Sequence, residues 1–218
     1  MASKDQRTLG GWAGLIILGL AAGFLSGMFG VGGGILVVPG LMAVAGFSQR
    51  LASGTSLAVI VPLASVGVIT YATHGSVSWT GALVLAAGAM IGSQIGTWLL
   101  VRIPPRALQI FFGIFVIATI VSLFLVVPDR DAEFHVNVLQ AVTLAILGLI
   151  TGTLAGLLGI GGGIVVVPAL MLIFGASDLV ARGTSLLMMI PAAVTGTIAN
   201  SRRKNVDLPA AIAVALPA

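Results

Sequence analysis

Two glycine-rich runs are the residues of this chain best suited to binding chemistry. They are Gly30–Gly34 and Gly159–Gly163. Ile35 and Ile164 stand where a dinucleotide-binding fingerprint needs its last glycine, and no strand is predicted before either run. A glycine turn that opens a short helix instead points backbone N–H groups and the positive end of the helix dipole at a ligand, which favours an anion. The alternative is that the glycines only permit tight packing at a helix break.

Two pairs of hydroxyl side chains follow the glycine runs, and each pair lies near the predicted start of a helix. Their hydroxyls could cap those helices or donate hydrogen bonds to an oxyanion, and the sequence does not separate the two roles. The candidate substrate-binding residues are therefore six glycines and four hydroxyl residues: Gly32, Gly33, Gly34, Thr55, Ser56, Gly161, Gly162, Gly163, Thr184 and Ser185.

No carboxylate lies in the predicted membrane core. The six acidic residues all fall in predicted loops or tails: Asp5, Asp129, Asp131, Glu133, Asp178 and Asp207. Proton relays and cation sites usually place a carboxylate inside the membrane, so a cavity of backbone dipoles and hydroxyls suits an anion better. We expect no catalytic residue, no metal site and no cofactor, and the absence of cysteine excludes thiolate ligands and disulfides.

The composition indicates a membrane protein. Of the 218 residues, 58% are hydrophobic and 7% are charged, against roughly a quarter charged in soluble domains. The apolar residues fall in runs of about 20, the length that crosses a hydrocarbon layer of about 30 Å, and lipid requires such runs to be helical. The net charge of +4 is scattered over short loops without a basic face, so no nucleic-acid partner is expected.

The chain consists of two copies of one unit. Shifted by 129 positions, residues 23–39 align with 152–168, and about 25 of the 57 positions from Gly23 to Trp79 are identical. Repeat one is residues 1–128, with predicted spans near 11–31, 52–73, 80–101 and 106–127 and a short element near 34–47. Repeat two is residues 129–218, with spans near 137–160, 181–200 and, in part, 208–218, and a short element near 163–176. Because residues 80–128 lack most of their counterpart, we expect roughly 35–45 further residues in the natural chain.

The distribution of lysine and arginine predicts the topology, because these residues favour cytoplasmic loops. If the short elements cross the membrane and the N-terminus is cytoplasmic, 8 of the 10 lysine and arginine residues lie inside and 2 lie outside. If the short elements re-enter on one side, 6 lie inside and 4 outside. The inside residues are then Lys4, Arg7, Arg50, Arg102, Arg106, Arg202, Arg203 and Lys204. We therefore predict an all-α polytopic membrane protein of two inverted repeats with about five membrane elements each, the second incomplete in this chain.

Small residues recur at four-residue spacing in three predicted spans, which lets transmembrane helices touch closely. They are Gly19, Gly23 and Gly27, then Gly88, Gly92 and Gly96, then Gly148, Gly152 and Gly156. We interpret them as packing surfaces. Gln94 lies about two turns inside its span. We interpret it as an interhelical hydrogen-bond donor in preference to a residue that binds a ligand. Pro62 and Pro191 are expected to lie inside helices and to kink them.

The duplicated G-x-x-G-x-G-G-G-x-x-x-V-P-x-L run, followed each time by A-x-G-T-S-L, resembles the TauE/SafE family of sulfite exporters and related membrane permeases over almost the whole chain. The matching positions are Gly30, Gly32, Gly33, Gly34, Pro39, Gly54, Thr55, Ser56, Gly159, Gly161, Gly162, Gly163, Pro168, Gly183, Thr184 and Ser185. The resemblance implies transport of sulfur-containing oxyanions or organosulfonates, such as sulfite or sulfoacetate, across a bacterial or archaeal inner membrane.

The sequence therefore predicts a multi-pass secondary transporter of the inner membrane that moves a small anion by alternating access. Its expected partners are the anionic substrate and the lipid bilayer, and a homo-oligomer stays open. An anion channel with the same site is the alternative. An intramembrane enzyme is a further alternative, but it would need a catalytic pair inside the membrane, and the sequence offers none.

Overall fold

The computed structural model describes residues 9–125 and 138–218, and every regular element within these ranges is a helix. The helices are α1 Leu9–Phe29, α2 Gly34–Ala45, α3 Gln49–Thr73, α4 Trp79–Leu100, α5 Pro105–Leu125, α6 Val138–Leu158, α7 Gly163–Phe174, α8 Asp178–Arg202 and α9 Leu208–Ala215. The first residues of α6, α7, α8 and α9 lie 129 positions after those of α1, α2, α3 and α4. The breaks in the chain thus recur with the same spacing as the sequence motifs.

Helix length and surface character identify a multi-pass membrane protein. Five segments in the described ranges are long and apolar enough to cross a bilayer: Gly11–Phe29, Gln49–Thr73, Trp79–Leu100, Val138–Leu158 and Asp178–Arg202. Large apolar side chains face outward from them, and Ile17, Phe24 and Leu83 each expose 66–68% of their surface. The 12-residue helices α2 and α7 rise only about 18 Å, which is less than the hydrocarbon layer of about 30 Å.

The predicted helix boundaries are close to the observed ones, with the largest shifts at the starts of α3 and α8. Helices α3 and α8 begin three residues earlier than expected. Ser48, the N-cap of α3, accepts a hydrogen bond at Oγ from the Leu51 amide, whereas Ser177, the N-cap of α8, makes no hydrogen bond through its side chain to the start of the helix. Asp178, predicted in a loop, is therefore the first residue of α8 and forms an ion pair with Arg182 at 2.7 Å. The predictions for Lys4, Asp5, Arg7, Asp129, Asp131 and Glu133 lie outside the described residues.

The antiparallel pair α3 and α8 forms the centre of the fold. A Cβ atom built on Gly67 would lie 2.8 Å from Leu186, and one built on Gly196 would lie 2.9 Å from Leu57. As the residue number rises along α3, the contacting number falls along α8. Each helix contains its predicted proline, Pro62 in α3 and Pro191 in α8. Because α3 and α8 are equivalent under the 129-residue shift, the two halves of the chain meet through matching helices that run in opposite directions.

Glycine seams join α4 to α6 and α1 to α9, as the small-residue spacing predicted. A Cβ atom on Gly88, Gly92 or Gly96 would strike the backbone of α6, and one on Gly148, Gly152 or Gly156 would strike the backbone of α4. Residue numbers rise together along this seam, so α4 and α6 are parallel. Gly19 and Gly23 lie in the same way against the backbone from Val214 to Ala218, but the prediction is wrong for Gly27, where a Cβ atom would meet nothing within 4 Å. Lipid cannot press helices together through hydrophobicity, so close contact between backbones supplies the attraction.

We predict that the α4–α6 seam tolerates no added methyl group. Gly92→Ala places a Cβ atom against the backbone of Leu149 and Thr153, which should lower the free energy of unfolding by about 1–3 kcal/mol. Gly113→Ala is the control, because a Cβ atom there meets nothing within 4 Å, and replacing a helical glycine should leave stability unchanged or raise it by about 1 kcal/mol. Thermal unfolding of both variants in detergent measures the difference, and equal melting temperatures would contradict the seam.

Candidate functional site

Each glycine run is a turn whose backbone only glycine adopts easily. Gly30, Gly32 and Gly33 have φ angles of 66°, 72° and 71°, and the equivalent Gly159, Gly161 and Gly162 have 75°, 89° and 83°. These values lie in the left-handed region, where an L side chain collides with its own backbone. The last of the three in each run is the N-cap of the short helix, Gly33 for α2 and Gly162 for α7. The spacing Gly-x-Gly-Gly is therefore required by the path of the chain.

The two glycine turns lie against each other in the interior of the protein. A Cβ atom on Gly34 would lie 2.6 Å from the carbonyl oxygen of Gly159, and one on Gly163 would lie 2.8 Å from the carbonyl oxygen of Gly30. All the candidate glycines in both turns are buried. The structure thus brings together the two runs that the sequence predicted as one site, although they lie 129 residues apart in the chain.

Serines from the opposite half of the chain hold both turns. Ser56 Oγ on α3 donates a hydrogen bond of 2.7 Å to the Gly159 carbonyl, and Ser185 Oγ on α8 donates one of 3.3 Å to the Gly30 carbonyl. Both serines lie nearly two turns inside their helices, so they do not cap them. Their hydroxyl protons are directed to the turns in this conformation, which makes them supports of the site.

The threonines of the same motif point to different partners. Thr55 Oγ1 accepts a hydrogen bond of 3.0 Å from the Asp207 amide, and Thr184 Oγ1 accepts one of 3.0 Å from the Ser78 amide. Ser78 and Asp207 are the N-caps of α4 and α9. The threonines therefore anchor the starts of α4 and α9, and the structure does not bring their hydroxyls to the glycine turns.

Backbone N–H groups at the starts of α2 and α7 lack acceptors. The first amides that bond back to the α2 cap are those of Leu36 and Val37, each 3.1 Å from the Gly33 carbonyl. Within the described residues no acceptor pairs with the amides of Gly34 and Ile35, nor with those of the equivalent Gly163 and Ile164. The first amides of a helix have no partner inside the helix. Two helix N-termini with free donors thus meet at the contact between the turns, where a negative charge is favoured.

Two side chains that the sequence had not singled out fill the space between the turns. Met189 Sδ lies 2.7 Å from a Cβ atom built on Gly32 and 3.3 Å from one built on Gly161, and Ile60 lies 3.4 and 3.0 Å from the same two positions. Both side chains are fully buried. Ile60 and Met189 are equivalent under the 129-residue shift and lie four positions after the two serines. That spacing places them on the serine-bearing face of each helix, and it is the signal that could have found them.

Two further polar residues considered from the sequence, Gln94 and Asp207, have structural roles. Gln94 Nε2 donates a hydrogen bond of 3.1 Å from α4 to the Thr195 carbonyl on α8, which confirms the predicted interhelical bond. Asp207, expected in a loop, is buried at the start of α9, where Oδ1 accepts a hydrogen bond of 3.0 Å from the Ala210 amide. No group of three or more histidine, cysteine, aspartate or glutamate residues in these ranges could hold a metal ion.

A helical membrane bundle in which two short, glycine-broken helices meet in the interior has the architecture of a membrane transporter. The comparison with protein families agrees. A family model described as sulfite exporter TauE/SafE matches residues 2–123 and 144–218. The chain belongs to the TauE/SafE family, as its motifs had suggested.

Curated relatives are also described as transporters. The probable membrane transporter protein YunE of Bacillus subtilis is 31% identical over 209 residues, which cover 85% of this chain and 77% of YunE. A probable membrane transporter protein of Methanocaldococcus jannaschii is 32% identical over 167 residues, covering 72% of this chain and 60% of the relative. One from Xylella fastidiosa is 30% identical over 190 residues, covering 85% and 72%. No solved structure matches the chain.

We predict that Met189 and the glycine turns are energetically coupled. Gly163→Ala places a Cβ atom against Met189 Cε, so Met189→Ala should relieve part of the strain. The double variant should then be more stable than the sum of the single changes by about 0.5–3 kcal/mol. Met188→Ala is the matched control, because Met188 is equally buried but is not among the nearest neighbours of any glycine in the turns. Thermal unfolding of the variants measures the coupling, and additive effects with Met189→Ala would contradict it.

Proposed function

We propose that this chain is a secondary transporter, a permease or exporter, that carries a small anion across the inner membrane by alternating access. The anion class that the family description favours is a sulfur oxyanion or an organosulfonate, with sulfite as the first candidate. The observation that carries the proposal is the meeting of two helix N-termini, each with amides that lack an acceptor, at the contact between the halves.

The charge balance of this contact supports an anionic substrate. An oxyanion that leaves water needs several donors at once, because an unmatched charge in a site of low dielectric constant costs many kcal/mol. The amides of Gly34, Ile35, Gly163 and Ile164 supply such donors, and the two helix dipoles add partial positive charge. The backbone donors themselves carry no permanent charge that would retain an anion. Beside the first turn, Arg182 Cβ lies 2.6 Å from a Cβ atom built on Gly30, and this arginine forms an ion pair with Asp178 at 2.7 Å, so the two charged groups balance each other.

Met189 supports a mechanism in which the site opens and closes. Its side chain occupies the space beside the free amides, so a bound anion requires this side chain to move. Methionine is unbranched and has three rotatable bonds, whereas the β-branched Ile60 on the other side has one strongly preferred rotamer in a helix. We propose that the conformation described is the occluded one, and that rotation of Met189 accompanies opening.

The orientation of the matching helices supports the inverted repeat. If each short helix continues across the membrane, α3 and α8 run in opposite directions, whereas re-entrant short helices would make them parallel. The antiparallel α3–α8 contact agrees with the first alternative. Arg50 Nη2 donates a hydrogen bond of 2.9 Å to the Ile103 carbonyl, which joins the first turn of α3 to the loop between α4 and α5. Both of these places lie on the cytoplasmic side in the inverted topology.

The topology is tested by cysteine labelling, because the chain has no native cysteine. We expect Arg50→Cys and Asp178→Cys to react with a membrane-impermeant maleimide from opposite sides of the membrane. Lys204→Cys is the control and should label from the same side as Arg50→Cys. Labelling of Arg50→Cys and Asp178→Cys from the same side would contradict the topology with five membrane elements in each repeat.

The anion site is tested by flux measurements on matched glycine variants. Gly33→Ala and Gly162→Ala should abolish uptake of sulfite and organosulfonates into proteoliposomes, because each change distorts the turn that presents the amides. Gly46→Ala and Gly175→Ala are the controls. These glycines have φ angles of 63° and 65°, so they impose similar strain, of order 1–3 kcal/mol, but a Cβ atom on either meets nothing within 4 Å. Both controls should retain flux.

Equal loss of flux in all four variants would assign the effect to folding alone, and unchanged flux in Gly33→Ala and Gly162→Ala would show that the turns serve only packing. Counterflow of labelled sulfite separates the two transport mechanisms, because a carrier is stimulated by substrate on the far side and an anion channel is not.

A further inference from the structure

Five polar side chains lie at one end of the α3–α8 pair, and we propose that they form an oxyanion-binding site separate from the glycine turns. Two belong to the first turn of α3 and three to the end of α8 and the following turn. These residues, called here the polar cluster, are Gln49, Arg50, Asn200, Arg203 and Asn205.

Each residue of the polar cluster has a buried polar atom without a hydrogen-bond partner. These atoms are Gln49 Nε2, Arg50 Nε, Asn200 Oδ1, Arg203 Nη1 and Asn205 Nδ2. Gln49 is 3% exposed and Asn200 is 0% exposed. Unsatisfied buried groups of this kind number only a few per 100 residues in native proteins, so several of them together require an explanation. Four of the five atoms are donors, which indicates a missing acceptor.

Several contacts place Asn200, Arg203 and Asn205 together beside the first two turns of α3. The amides of Arg203 and Asn205 both donate hydrogen bonds of 3.0 Å to the Asn200 carbonyl. A Cβ atom on Gly54, in the second turn of α3, would lie 3.2 Å from Asn200 Cβ and 3.0 Å from the Asn205 carbonyl carbon. The end of α8 therefore folds back against the start of α3, where Gln49 and Arg50 lie.

At the equivalent position in the other half of the chain, the structure has a cavity. The 129-residue shift relates Arg50, Asn200, Arg203 and Asn205 to Leu179, Tyr71, His74 and Ser76. Those four equivalents line a single cavity of about 510 Å³. Two matching places in the fold thus carry different chemistry, and the donors are concentrated in the polar cluster.

An oxyanion matches these donors better than water does. The guanidinium groups of Arg50 and Arg203 are partly buried and keep their charge at any ordinary pH. Water would give their unsatisfied N–H groups an acceptor but no negative charge, whereas an oxyanion supplies both. One donor of the polar cluster could turn to Asn200 Oδ1, which leaves three for the oxygens of a sulfate-like or phosphate-like group.

Two sources could supply that oxyanion, a dissolved anion or the phosphate of a lipid headgroup, and sodium sulfate is the probe for the first. Thermal unfolding of the full chain in detergent is compared in sodium sulfate and in sodium chloride at equal ionic strength. We expect sulfate to stabilise the wild type and Arg203→Gln to weaken the apparent affinity at least about tenfold, as the loss of a charge-assisted hydrogen bond implies. Arg202→Gln is the control, because Arg202 is the adjacent arginine but is exposed.

Asn205→Asp provides a second variant of the same shape. A carboxylate beside two guanidinium groups should stabilise the protein without sulfate and remove the response to sulfate. Native mass spectrometry tests the lipid source: protein reconstituted with phosphatidylglycerol should retain one phospholipid that Arg203→Gln loses, if the occupant is a headgroup. Either result supports the site.

If sulfate does not stabilise the protein and no phospholipid is retained, the proposal is wrong and water is the occupant. A sulfate response that survives Arg203→Gln but disappears in Gly162→Ala would overturn it as well, because the binding would then belong to the glycine turns. Neither measurement uses flux, so the transport proposal can fail without affecting this one.

Discussion

Backbone groups in the interior of a membrane protein cannot turn to lipid for hydrogen bonds, and this constraint governs the whole structure. Two helices break at glycine turns, which leaves carbonyl and amide groups without helical partners. The carbonyl groups of Gly30 and Gly159 accept hydrogen bonds from serines of the opposite half. Each half therefore supplies a hydrogen bond to the carbonyl group that the helix break of the other half leaves without a partner. The antiparallel contact of α3 with α8 holds both serines in place. The amides of Gly34, Ile35, Gly163 and Ile164, at the starts of the short helices, have no such partner.

The structure uses glycine for two physically different purposes. In the seam between α4 and α6, glycine has an ordinary helical conformation and is needed only because two backbones touch. In the turns, glycine is needed because the backbone is left-handed, whatever lies nearby. In the seam, a methyl group would collide with the backbone of the neighbouring helix. In the turns, it would collide with the backbone of its own residue. Helix packing and ligand access thus depend on glycine for separate reasons and can be altered independently.

The sequence was sufficient to predict most of the fold because membrane helices are determined by local properties. Apolar runs, the repeat and the small-residue spacing predicted the helices, the pairing of the glycine runs and the seams. The roles of the hydroxyl residues could not be predicted, because Ser56 and Thr55 are neighbours in sequence but point to partners in different parts of the fold. Met189 was missed for a related reason. An apolar residue in an apolar helix stands out only when the opposing backbone is known.

The crossed serine bonds also have a consequence for biosynthesis. The Gly30 carbonyl is synthesised 155 residues before Ser185, the residue that satisfies it. At about 5–20 residues per second, a ribosome needs roughly 8–30 s to produce that serine. During this interval the first glycine turn cannot settle into lipid without an uncompensated polar group, so it must wait beside water or the insertion machinery. The two halves therefore mature together, and the first half does not become a finished unit before the second arrives.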